Sequence, residues 1–75
     1  MFDKKVFGER LSSLRIAANI SQHALGLAMS VGKSAISMME NGQRAASAEM
    51  LCALADYFNV SLDYLVGRSD NPNKC

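Results

Sequence analysis

Residues 21–40, SQHALGLAMSVGKSAISMME, decide the fold. Ser21 is a good N-cap, and Leu25 and Ala28 recur behind it as inward positions, which predicts a helix over 22–29. Ala24 stands where a Glu or Gln would complete a capping box, so this cap is half made. Ser30, Val31 and Gly32 form a short connection. A second helix is predicted over 33–40, with Ile36 and Met39 turned inward. Asn41-Gly42 ends it, since both residues tolerate the left-handed backbone a helix terminus favours.

The flanking chain is also helical. Asp3 caps a helix running to about Ala18, with Phe7, Leu11, Leu14 and Ala18 on one face. Lys5 and Glu9 form a weak i,i+4 pair on the other side. Asn19-Ile20 breaks this helix. Ser47 caps a fourth, over 48–58, that buries Leu51, Leu54, Ala55 and Phe58. Ser61 caps a short fifth, over 62–66, closed by Gly67. β-branched residues are sparse and never alternate over a strand length. The expectation is an all-α fold, a compact five-helix bundle containing a helix-turn-helix. Residues 1–68 form the domain and 69–75 a flexible polar tail.

With 75 residues, 49% of them hydrophobic and 20% charged, the chain has the composition of a small globular domain. It holds one core and one surface site. No apolar run reaches the 18 residues of a membrane span, and the first ten residues lack the apolar stretch of a signal peptide, so the expected location is the cytoplasm. Cys52, Cys75 and the single His23 fit neither a disulfide framework nor a zinc spacing. Cys52 reads as a small packed residue, Cys75 as part of the tail and His23 as an exposed helix position. No nucleophile–base set is present, so no enzyme, cofactor or metal is expected. The net charge of +1 hides an asymmetry: residues 1–46 hold six Lys/Arg against three acids, and residues 47–75 hold two against four. A polyanion would approach the first part.

A helix-turn-helix shape alone is weakly specific, because many small bundles contain one. The residues narrow it. Phe7-Gly8-Glu9-Arg10-Leu11, Leu14-Arg15, Ile20-Ser21-Gln22, Leu25, Ala28 and Val31 resemble the phage-repressor and Cro class of helix-turn-helix proteins, the Xre-like or lambda-repressor-like family. Ile36-Ser37, Glu40-Asn41-Gly42 and Val60-Ser61-Leu62-Asp63-Tyr64-Leu65 are similar to its later blocks. The resemblance covers residues 6 to about 70.

It implies a transcriptional regulator that lays helix 33–40 in the major groove of double-stranded DNA. Lys33, Ser34, Ser37 and Met38 face outward and are the expected base readers; Met38 departs from the polar residue often found at its position. Gln22, at the positive end of its helix, matches the family's phosphate contact. Asn41, Gln43 and Arg44 match a second phosphate clamp, with Gln43 standing where Lys is frequent. Arg15 and Glu40 match a structural ion pair. Ser30 stands where the family commonly has Gly, and Gly32 where it commonly has a Ser or Thr cap.

One small module offers too little contact for a selective regulator, so a homodimer on a palindromic operator is expected. Leu62, Tyr64 and Val66 are more apolar than a short surface helix requires and form its expected surface. Control would come from the protein's own concentration, a toxin or an antirepressor. The alternative is a protein-interaction module on the same fold with weak or no DNA binding.

Overall fold

The computed structural model describes residues 2–73. Among these, five helices form: α1 Lys4–Ala17, α2 Gln22–Met29, α3 Lys33–Glu40, α4 Ala48–Phe58 and α5 Leu62–Leu65. The caps are those the side chains dictate. Asp3 accepts from the backbone N–H of Lys5 and Val6, Ser21 from Ala24, Ser47 from Met50 and Ser61 from Tyr64. Gly32 caps α3 without a side-chain bond.

The core draws on every helix. Phe7 and Leu11 of α1, Leu25 of α2, Ile36 and Met39 of α3, Leu54 and Ala55 of α4 and Leu65 of α5 pack into one buried cluster. Burial of each large side chain removes it from water at a gain of about 1.5–3 kcal/mol. α3 packs against both α1 and α2. The contact with α1 is close enough that a Cβ on Gly8 would sit 2.5 Å from the Met39 carbonyl oxygen.

Some expectations need correction. Ala18 is the exposed C-cap of α1 rather than part of its buried face. Ala28 is exposed; α2 turns Leu25 and Gly26 inward, and Gly26 sits where a Cβ would meet the Val31 carbonyl oxygen at 2.8 Å. The next residue, Leu27, is 68% exposed. Cys52 is exposed, not packed. Lys5 and Glu9 form no ion pair. Of the Asn41-Gly42 pair that ends α3, Gly42 is left-handed, with φ +76°, while Asn41 keeps φ −87°. Ser30 does take the left-handed backbone, at φ +61°.

The segment after Gly67 is fastened to the bundle. The Arg10 guanidinium donates to the carbonyl oxygens of Tyr64 and Ser69 at 2.7 and 2.6 Å and to the Asp70 carboxylate at 2.8 Å. It also lies 4.2 Å from the centre of the Tyr64 ring. The Ser61 N–H donates to the Pro72 carbonyl oxygen. The last two positions of the expected tail, including Cys75, lie outside the described residues.

Candidate nucleic-acid interface

α3 presents one side to the core and the other to solvent. At about 100° per residue, Lys33, Ser34, Ser37 and Met38 span an arc of roughly 140°. The buried pair Ile36 and Met39 lies on the opposite side. Lys33 and Ser34 are exposed and Met38 is 41% exposed, while Ser37 is half-buried. Lys33 makes no ion pair among the described residues. The exposed arc thus combines a cation, two hydroxyls that both donate and accept, and one apolar contact for a methyl group.

Glu40 ties this helix to its neighbours. Arg15 Nε donates to Glu40 Oε2 at 2.6 Å, and Arg15 Nη2 to Oε1 at 3.1 Å. The same guanidinium donates to the Ile20 carbonyl oxygen at 2.9 Å. Only 15% of the Arg15 side chain and 5% of the Glu40 side chain reach solvent. The hydrogen bond to Glu40 is the chief cause that raises the Arg15 pKa above its ordinary value. A forked pair of this kind fixes orientation as well as distance.

Gln22 joins the pair, with its Nε2 donating to Glu40 Oε1 at 3.0 Å. One carboxylate therefore ties together α1, α2 and α3. Sequence spacing carries no signal for the Gln22 bond, because a polar residue at a helix start reads equally well as a surface position. The bond uses one amide hydrogen and leaves the other and the amide oxygen for a further contact.

Asn41, Gln43 and Arg44 follow α3 and are exposed. The Gly42 and Gln43 N–H groups close the helix end onto the Met39 and Met38 carbonyls. Arg44 makes no ion pair among the described residues. Of the expected dimer residues, Leu62 is 40% exposed, and Tyr64 and Val66 are half-buried. Tyr64 is partly occupied, since Arg10 stacks on its ring. No helix among the described residues is long and apolar enough to cross a membrane.

Comparison with known proteins agrees with this geometry. A helix-turn-helix family profile matches residues 11–65. The P22 c2 repressor, solved in complex with a synthetic operator, superposes with a TM-score of 0.80 at 34% identity, over 85% of this chain and 97% of that one. The restriction–modification controller protein C.AhdI of Aeromonas hydrophila gives a TM-score of 0.75 at 32% identity, over 84% and 91%. The transcriptional activator BcrR of Enterococcus faecalis is 33% identical over 60 residues, which are 80% of this chain and 29% of that protein. The chain thus spans less than a third of that curated relative's length. On these residues and this geometry, the chain belongs to the helix-turn-helix family, in its phage-repressor or Cro class.

Proposed function

We propose that the chain is a sequence-specific, double-stranded-DNA-binding transcriptional regulator of the cytoplasm, acting as a phage-type repressor. α3 enters the major groove of a palindromic operator, and a homodimer reads the two half-sites. The observation that carries this reading is the exposed arc of Lys33, Ser34, Ser37 and Met38 on a helix whose other side is locked into the core. Lys33 is the donor for guanine or phosphate, the two serines are short-range readers and Met38 meets a thymine methyl. Gln22, Asn41, Gln43 and Arg44 hold the phosphates on either side. Leu62 lies at the centre of the dimer surface, with Tyr64 and Val66 at its edge. The alternative, docking of a toxin or antirepressor on this same face, is favoured by one feature, the exposure of Met38.

The test is fluorescence anisotropy with the DNA upstream of the chain's own gene beside a scrambled duplex, at two salt concentrations. The reading predicts a preference of about 10³-fold or more and a steep salt dependence. Equal, weak binding to both duplexes and to a pool of random duplexes would overturn it in favour of the protein-docking alternative.

A further inference from the structure

We propose that Lys4 and Lys5, in the first turn of α1, bind DNA phosphates and extend the clamp formed by residues 41–44; the inference rests on the DNA-binding reading above. Gly42 lies directly on this turn. Its Cβ position would be 3.4 Å from Lys5 Cα and 3.8 Å from the Lys4 carbonyl oxygen. Phe2, Asp3, Lys4, Lys5 and Gly42 line one open cleft. Arg44 is two residues from Gly42, so their Cα atoms are within about 7 Å. Lys4 and Lys5 therefore form a cationic rim beside the loop that follows α3, while Arg44 of that loop lines a separate pocket with Ala35 and Met39. DNA offers one phosphate per roughly 1.7 Å of helix axis, so a rim of this size meets more than one.

A second observation is independent of this proximity. The first turn of α1 holds two lysines and no acidic residue. Cations are disfavoured there, because the macrodipole and the free N–H groups make this end positive. The Asp3 carboxylate at the cap offsets part of this cost. Among the described residues the ion pairs engage Arg10 and Arg15 and leave both lysines unpaired. The neighbouring Asp3 directs Oδ1 to the amides of Lys5 and Val6. Two lysines without an ion-pair partner at this end are available to a polyanion outside the helix.

The experiment compares the intact chain with its K4A/K5A and K4R/K5R variants, on the preferred and the scrambled duplex, across a salt series and alongside thermal melts. For K4A/K5A, which removes four lysines from the bound homodimer, the expected result is a salt slope shallower by about 4 and binding weakened about tenfold or more on both duplexes alike, with melting temperature unchanged or raised. K4R/K5R should restore the slope. An unchanged slope in K4A/K5A, while the parent chain still prefers its operator, would overturn the inference alone. If the parent chain prefers no duplex, the DNA-binding reading fails first and this one falls with it.

Discussion

Arg15 holds Glu40 by two parallel hydrogen bonds while also donating to the carbonyl oxygen of Ile20. α3 is thereby tied to α1 at its C-terminal end, where Gln22 adds a third element. Removing either partner leaves the other group desolvated and without a counter-charge. Arg15→Met and Glu40→Ala are each expected to lower stability by about 2–4 kcal/mol, near the range for breaking a buried pair. Arg15→Lys should recover less than half of that, because an ammonium cannot reproduce the fork. Urea denaturation of the three variants checks this. Losses below about 0.5 kcal/mol would mean the pair behaves as a surface one.

Gly8 marks the closest approach of α1 to α3. A methyl group there would meet the carbonyl oxygens of Met39 and Glu40 at 2.5 and 2.6 Å, both of them backbone. Gly8→Ala gains helix propensity, worth about 0.5–1 kcal/mol, but it must push the helices apart. A net loss of about 1–3 kcal/mol is expected in chemical denaturation, with weaker DNA binding because α3 is tilted. A stabilised Gly8→Ala protein would show that the two helices separate freely.

Ser30 and Gly42 are both left-handed, yet only the second is a glycine. Ser30→Gly should raise stability by about 0.5–1 kcal/mol, since a side chain in this conformation costs about 1–2 and glycine's greater unfolded freedom returns part of it. Gly42→Ala should lower stability by about 1–2 kcal/mol, because the same strain is added beside the Lys5 backbone. Differential scanning calorimetry would register these as shifts of several degrees in opposite directions. Shifts of the same sign would contradict the backbone argument.

Arg44→Ala should weaken binding to all duplexes alike and flatten the salt dependence of the homodimer by about two units of slope. Gln22→Ala should also weaken all duplexes, but with a stability loss of about 0.5–1.5 kcal/mol from its bond to Glu40. Anisotropy titrations of both variants, read beside their denaturation curves, separate the two roles. A change of sequence preference in either would place that residue among the base readers.

The helices were legible because their signals are local. Asp3, Ser21, Ser47 and Ser61 each accept from an amide two or three residues ahead, and the inward positions of α3 follow a 3.6-residue period. Where reading failed, the determinant was tertiary. Ala28 fits a buried face by spacing, but α2 packs Leu25 and Gly26 against the core and leaves Ala28 exposed. The Arg10 clamp joins residues 54–60 positions apart and bonds mainly to backbone carbonyls, which carry no sequence identity. The Arg15–Glu40 pair came from the family resemblance. Its burial and its link to Gln22 needed the structure, since neither charge nor spacing tells how much water a side chain keeps.

The central claim is that α3 reads bases. It is tested most directly by selecting preferred sites from random duplexes with the parent chain and with Lys33→Ala and Ser34→Ala. The account predicts that the parent recovers two half-sites about one helical turn apart, and that each variant changes the preferred base at one symmetric pair of positions. Recovery of the same motif by all three proteins, with binding merely weakened, would contradict it.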